Sequence, residues 1–214
     1  MKRAPIVLVL VLSAVATAAA SPPLTREQAL AALAKPEVEA RREAAAWLGD
    51  LGVMADTTRL VRALRDLDDV VRTLAERSLW RIWSRSGDPE VDALFTEGVE
   101  EMQHGAAPAA IQTFTTIIEK KPDFAEGWNK RATVYYLEGE YQKSLRDCDE
   151  VLKRNPDHFG ALAGYGQIYL ALGEPERALD YFQRALRVNP NLGGVEAAVA
   201  ELKRLIIEKR KGII

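Results

Sequence analysis

The stretch PDHFGALAGYGQIYLALGEPERALDYFQRALRVNP, residues 156–190, decides the fold of this 214-residue chain. It begins at Pro156 and ends at Pro190, and Pro122 precedes the first of them by the same interval. The three prolines are thus spaced 34 residues apart and form one ladder. Gly105, Gly139 and Gly173 form a second ladder with the same spacing. Because Gly is the residue that most readily ends a helix in the left-handed conformation, and Pro cannot continue one, the two ladders predict helical hairpins that stack at a fixed period.

Alignment on the prolines divides the second half of the chain into three units, residues 91–124, 125–158 and 159–192. Two positions of each unit are small, as expected where the two helices of one hairpin cross: Gly98, Ala132 and Gly166, then Ala110, Ser144 and Ala178. A third position carries Phe114, Cys148 and Phe182. Cys148 is therefore predicted to be a buried, inert thiol, since a free Cys commonly behaves as a small core residue.

These units resemble the tetratricopeptide repeat family. The third unit carries the resemblance best, through Leu162, Tyr165, Gly166, Tyr169, Gly173, Ala178, Phe182, Ala185 and Pro190. The first unit departs from it, with Glu97 and Glu101 where the family favours Leu and Tyr. The resemblance implies an all-α fold, a right-handed α-solenoid of helical hairpins. Residues 194–211 would form a C-terminal capping helix that packs its apolar side on the third unit.

The first half, residues 24–86, follows a fainter period of 31 residues, in which Ala44 matches Ala75 and Leu48 matches Leu79. It predicts two further hairpins, with helices at 25–34, 37–51, 56–65 and 69–85. These resemble HEAT-like repeats, which implies that Asp68 or Asp69 contacts Arg41 and Arg72 across the pair. Because two repeats bury too little surface alone, we expect the pair to dock on the first tetratricopeptide unit and to continue one solenoid.

The N-terminus has the pattern of an export signal. Lys2 and Arg3 precede the apolar stretch 6–15, and Ala18, Ala19 and Ala20 supply the small residues of a cleavage site. We predict a cleaved signal peptide at residues 1–20, and hence a periplasmic or secreted bacterial protein with no membrane span after cleavage. The alternative is an uncleaved anchor, for which the apolar stretch is short.

The composition argues against several classes of function. With 29 basic and 31 acidic residues the net charge is −2, which does not suggest a nucleic-acid binder. Cys148 alone can form neither an intramolecular disulfide nor a cysteine metal cage. Of the two histidines, His104 has only Glu100 nearby on its helix, too few ligands for zinc, and His158 is expected to be an exposed turn residue. We therefore predict no catalytic residue, no cofactor and no metal.

The tetratricopeptide resemblance implies a concave groove lined by the first helix of each unit. Carrying the family's lining positions over, we select seven partner-binding candidates: Phe95, Val99, Asn129, Lys130, Thr133, Tyr136 and Gln167. The Lys/Asn/Arg clamp that some members use for a peptide carboxylate is absent here, apart from Lys130. The resulting hypothesis is an exported, non-enzymatic module that binds a protein or peptide. The alternatives are a self-assembling envelope component, stacked through the apolar Leu205–Ile207 patch, and, less favoured, a regulatory subunit of an enzyme.

Overall fold

The computed structural model describes residues 24–212, without the side chain of Arg210. Eleven α-helices lie in this part of the chain, at Arg26–Ala32 (α1), Val38–Leu51 (α2), Thr57–Ala63 (α3), Asp69–Trp83 (α4), Pro89–Gln103 (α5), Ala107–Lys120 (α6), Ala125–Leu137 (α7), Tyr141–Arg154 (α8), Phe159–Ala171 (α9), Pro175–Val188 (α10) and Gly193–Arg210 (α11). The described residues form no strand, and none of their helices is long and apolar enough to cross a membrane. The predicted signal, residues 1–20, lies outside the described residues.

The repeat array, α5 to α10, is built from three hairpins whose turns are fixed by glycine. Gly105, Gly139 and Gly173 have φ values of +73°, +74° and +72°, which confirms their predicted left-handed conformation. An L side chain is rarely stable in that region, so the glycines set the period of the turns. Helices α6 and α7, then α8 and α9, pack on each other between hairpins, and α11 closes the array against α10.

Inside each hairpin the small residue and the bulky residue are matched in size. A Cβ atom on Gly98 would lie 2.8 Å from the Phe114 ring, and one on Gly166 would lie even closer to the Phe182 ring. The second hairpin combines Ala132 with the smaller Cys148, and both side chains are buried. The predicted close crossing is confirmed, and the second unit reaches it with a different pair of residues.

The N-terminal pair, α1 to α4, keeps its 31-residue period in its hydrogen bonds. Arg41 Nη1 donates to the carbonyl oxygens of residues 35 and 36, and Arg72 Nη1 donates to those of residues 66 and 67. Arg41 also forms a bidentate pair with Asp66, at 2.8 and 3.0 Å. The predicted link from Arg41 to Asp68 or Asp69 is therefore wrong: the acceptor is Asp66, and Asp68 pairs with Arg42 instead.

The expectation that the pair docks on the first unit is also wrong. Helix α4 crosses the turns that follow α8 and α10: Trp80 and Trp83 pack on Phe159, and Glu76 accepts a 3.0 Å hydrogen bond from Asn189 Nδ2. Helices α4 and α5 do not stack as the other hairpins do. Gly87, at φ +78°, turns the chain sharply between α4 and α5. The apolar face of the N-terminal pair is therefore buried against the inter-repeat turns of the array, which we call its turn edge.

Candidate functional site

A pocket of about 60 Å³ opens between α7 and α9, on the first helices of the second and third hairpins. Its polar rim consists of Asn129, Thr133, Tyr136 and Gln167, and Ser144 and Cys148 of α8 lie at its inner end. Cys148 stands where the sister hairpins have Phe114 and Phe182. The pocket thus opens beside the one hairpin whose bulky core residue is replaced by a small one. We call this region the groove.

Two glycines of α9 line the groove, and they differ in what surrounds them. A Cβ atom on Gly160 would lie 2.5 Å from Cη2 of Trp80, so that residue is needed for the docking of the N-terminal pair. A Cβ atom on Gly164 would meet no atom within 4 Å. Gly in a helix interior is about 0.5–1 kcal/mol less favourable than Ala. No packing contact in the structure compensates that cost at Gly164, and the residue leaves the groove wall open.

A buried polar network holds Asn129 in place. Asn129 Nδ2 donates to Glu126 Oε2 at 3.1 Å, which leaves Asn129 Oδ1 as an acceptor for a ligand. Glu126 Oε1 accepts from His158 Nε2 at 2.5 Å, and His158 Nδ1 accepts from the Ala161 backbone N–H at 3.0 Å. Since Nδ1 accepts, the ring proton lies on Nε2, facing the carboxylate. The network therefore joins the groove to the turn that precedes α9.

The sequence predicts an exposed turn residue at His158, and that prediction is wrong. Both His158 and Glu126 are 0% exposed, because Trp83 of α4 stacks on the imidazole with 4.6 Å between ring centroids. Burial would raise the pKa of Glu126, but the His158 ring, the Lys130 ammonium and the Asn129 amide together lower it below its ordinary value. Glu126 is thus a buried carboxylate that supports the groove from below.

The other candidates from the sequence divide into three groups. Thr133 is exposed, Gln167 is exposed and Tyr136 is half-buried, and all three line the groove. Lys130 lies beside them in the sequence, with its Nζ 4.0 Å from Glu126 Oε2, so its charge is partly used inside the fold. Val99 packs against the core of the first hairpin, away from this pocket.

The structure corrects the placement of Phe95. Its ring packs edge-on against Phe124, with 5.4 Å between centroids, and only 9% of the residue is exposed. Phe95 therefore belongs to the core of the first hairpin. Sequence reasoning missed several lining residues, among them Cys148 and Ser144. For Cys148, the exchange of Phe for Cys in the repeat register was a usable signal.

Cys148 is buried, as predicted, with 3% exposure. Burial and the neighbouring Asp147 and Asp149 carboxylates raise the pKa of its thiol to about 12. A thiol in this state is a poor nucleophile, because the reactive thiolate is not populated near neutral pH. Cys148 contributes volume to the groove rather than chemistry.

Comparisons with known proteins agree with this geometry. The tetratricopeptide repeat family profile matches residues 123–191, the second and third hairpins. Residues 123–191 are therefore tetratricopeptide repeats. A TPR repeat-containing protein of Rhizobium etli is 32% identical over 130 residues, covering 61% of this chain and 62% of that protein. Hsp70-Hsp90 organizing protein 1 of Glycine max is 23% identical over 122 residues, covering 55% of this chain and 21% of that protein. The chain therefore matches less than two thirds of the length of either relative.

Solved tetratricopeptide structures share the fold at low sequence identity. The Sgt2 TPR domain from Aspergillus fumigatus has a TM-score of 0.56 at 21% identity, covering 59% of this chain and 85% of that domain. The first TPR of Spaghetti (RPAP3), which was solved with an HSP90 peptide, has a TM-score of 0.53 at 20% identity, covering 55% of this chain and 93% of that one. Both likenesses confirm the all-α solenoid architecture of the repeat array.

Proposed function

We propose that the chain is an exported, non-enzymatic interaction module that binds a peptide segment of another protein in the groove between α7 and α9. The observation that carries this proposal is Gly164, which lies inside α9 and meets no atom within 4 Å of a would-be Cβ. A helix-interior glycine without a packing reason is explained by a ligand that approaches the helix backbone closely. Solved relatives hold peptides, such as the HSP90 peptide on the first TPR of Spaghetti, which supports the same use here.

The groove favours a small apolar side chain flanked by backbone hydrogen bonds. Its 60 Å³ would hold a group of a few carbon atoms against Cys148. Asn129 Oδ1 can accept a peptide N–H, and Gln167 can donate or accept on the opposite rim. Leu137 and Leu170, 65% and 41% exposed, lie on the same two helices and offer apolar contacts to the flanking residues of the ligand.

The test is a random-peptide display selection on the whole chain, repeated with two leucine variants. Gly164→Leu fills the groove, whereas Gly194→Leu places the same side chain in open space on α11. We expect the selection to yield peptides that bind the Gly164→Leu variant at least about tenfold more weakly than wild type, since a central contact of an interface is worth about 2 kcal/mol. The same peptides should bind the Gly194→Leu variant as tightly as wild type. Selected peptides that bind the two variants equally would place the binding surface elsewhere.

Export is the second part of the proposal, and it is supported by the residue pattern at 1–20. The test expresses the chain with its own N-terminus in a Gram-negative host and measures the mass of the product in each compartment. We expect a periplasmic or secreted form that lacks residues 1–20. A full-length product in the cytoplasm would contradict it, and Lys2→Glu with Arg3→Glu is the matched variant that should block export.

Self-assembly through α11 is the second candidate, favoured by the 50% exposure of Ile207 beside Leu179 and Ile206. Sedimentation at increasing concentration would detect it. Ile207→Glu should abolish any oligomer, because it places a charge at the centre of the apolar patch. A monomer at all concentrations removes this candidate and leaves the groove proposal untouched.

A further inference from the structure

A second pocket, of about 110 Å³, lies where the N-terminal pair meets the turns of the repeat array, outside the groove. Trp83 of α4 forms one side of it, and Asn155, the residue that ends α8, forms another. Lys121, Asp123 and Arg154 complete its charged rim. The pocket therefore exists only because the pair docks on the turn edge, and it does not depend on the function proposed for the groove.

Two buried donors line this pocket without an acceptor. Trp83 is 3% exposed and Asn155 is 5% exposed. Among the described residues, Trp83 Nε1 and Asn155 Nδ2 are the buried side-chain polar atoms that find no hydrogen-bond partner. Buried donors are nearly always paired in folded proteins, so two unpaired donors on residues that line one pocket point to an acceptor from outside the chain.

The repeat itself shows which acceptor fits. Asn189 occupies the position of Asn155 one repeat later, and its Nδ2 donates to the Glu76 carboxylate at 3.0 Å. Glu76 and Trp83 are seven residues apart on α4, or about 10.5 Å along the helix axis. Helix α4 thus presents the Glu76 carboxylate to the turn after α10 and the Trp83 ring to the turn after α8. The Asn189 amide therefore has a carboxylate partner, Glu76, whereas the Asn155 amide has none.

The charge around the pocket agrees with an anionic ligand. Arg85, Lys121 and Arg154 bring three positive charges, against one negative charge on Asp123. Arg85 is already bonded to the carbonyl oxygens of residues 49, 50 and 52 at the end of α2, and Arg154 is bonded to Glu150. Both guanidinium groups are therefore held in place, but the Glu150 carboxylate offsets the charge of Arg154, so Arg85 and Lys121 supply the positive charge that acts on the pocket. The negative charge of Asp123 repels an anion, so a variant that removes this charge should bind an anionic ligand more tightly.

We propose that this junction pocket binds a carboxylate group, with Trp83 Nε1 and Asn155 Nδ2 as its hydrogen-bond donors and Lys121 as its principal free charge. The carboxylate belongs either to a small organic acid or to an acidic side chain of a partner. Either ligand would touch both the N-terminal pair and the array, so its binding would stabilise the docked arrangement.

The experiment follows the indole N–H signals of the whole chain by ¹⁵N NMR while sodium acetate replaces sodium chloride at constant ionic strength. Trp83→Phe identifies the signal of interest among the four tryptophans. We expect that signal to move downfield and to saturate, whereas the Trp128 signal stays fixed because its Nε1 already donates to the Pro122 carbonyl at 3.0 Å. Acetamide, which is neutral and of similar shape, is the ligand control and should bind more weakly.

Three variants test the assignment without relying on one that could unfold. Asn155→Leu should abolish saturation. Lys121→Met should weaken acetate binding about threefold and Asp123→Asn should strengthen it about threefold, which is the size of exposed charge effects. Asp123 is exposed and Lys121 is half-buried. Opposite effects of these two variants cannot arise from a common loss of folding.

The outcomes separate the two sources of the carboxylate. A response to acetate but not to N-acetyl-glutamate amide supports a free acid, and a response to both supports an acidic side chain of a partner. A Trp83 signal that acetate does not shift, or that chloride and acetate shift alike, overturns the proposal and assigns both donors to water.

Discussion

His158 and Glu126 form a fully buried hydrogen bond, 2.5 Å long, between two positions 32 residues apart in the sequence. The bond lies beneath the groove residue Asn129 and is covered by the Trp83 ring of α4. It therefore joins three parts of the molecule: the groove, the turn before α9 and the N-terminal pair. Removing either His158 or Glu126 leaves a buried polar atom of the other without its partner.

Glu126→Gln should destabilise the chain at neutral pH by about 1–3 kcal/mol. The Gln amide nitrogen must replace one of the two carboxylate oxygens, so it faces either the His158 Nε2–H or the Asn129 amide as a donor facing a donor. The pKa of Glu126 is lowered in the fold, so its stabilising contribution is complete above its ordinary pKa of 4.5 and is lost as pH falls through the folded value. The difference between wild type and variant in urea unfolding should therefore shrink below pH 4.5.

The control for this series is Glu97→Gln on the exposed side of α5. Its unfolding free energy should stay within about 0.5 kcal/mol of wild type at each pH. A Glu126→Gln difference that is as large at pH 3.5 as at pH 7 would contradict the assignment of the charge to Glu126.

Cys148 should be unreactive in the native chain and reactive in the unfolded one. Its pKa of about 12 leaves almost no thiolate at pH 8, and only 3% of the residue is exposed. We expect the reaction with Ellman's reagent at pH 8 to follow the rate of opening of the second hairpin, and to reach the rate of a free thiol in concentrated guanidinium chloride. A fast native reaction would show that the groove admits the reagent to Cys148. In that case a groove peptide should slow it.

The pairing of small and bulky residues across each hairpin can be exchanged between units. Cys148→Phe alone should cost about 1–3 kcal/mol, because its ring meets the Cβ atom of Ala132. Ala132→Gly in the same chain recreates the Gly98–Phe114 arrangement of the first hairpin. We expect the double variant to recover at least about 1 kcal/mol of the loss, measured as the coupling in a double-mutant cycle of unfolding free energies.

Additive free energies in that cycle would show that the two side chains do not meet. The pair Ala132→Gly with Thr73→Ala is the control and should be additive, since Thr73 is exposed on α4 and its hydroxyl donates within that helix, to the Asp69 carbonyl. The double variant should also fill the inner end of the groove and reduce peptide binding.

The sequence predicts those features that local backbone rules determine. A left-handed turn needs Gly105, so its period is visible in the sequence, and the helices follow from it. The docking of α4 depends on contacts between residues far apart in the chain, such as Trp80 with Phe159, and no local rule reports them. The prediction for His158 fails for that reason: a polar residue after a Pro is usually exposed, and here a distant helix covers it. The prediction for Phe95 fails because the family's groove positions were transferred to the unit that resembles the family least.

Gly160 and Gly164 are four residues apart on α9, and the same substitution at the two positions should have opposite effects on stability. Gly160→Ala places a Cβ atom 2.5 Å from the Trp80 ring, which cannot rotate away because Trp83 and Phe159 pack against it. We expect a loss of about 1–3 kcal/mol, as for other overpacked sites. Gly164→Ala meets no atom and should stabilise the chain by about 0.5–1 kcal/mol, since Ala is the better helix former.

Trypsin digestion under native conditions gives an independent measurement of the same contrast. Release of the N-terminal pair frees the segment between α4 and α5, which contains Arg85, so Gly160→Ala should be cut there faster than wild type. Gly164→Ala should be cut at the wild-type rate while losing affinity for groove peptides. Equal effects of the two substitutions on the free energy of unfolding would contradict the packing of Trp80 over Gly160. A Gly164→Ala variant that is more stable than wild type and binds groove peptides equally well would show that peptide binding does not require a glycine at position 164.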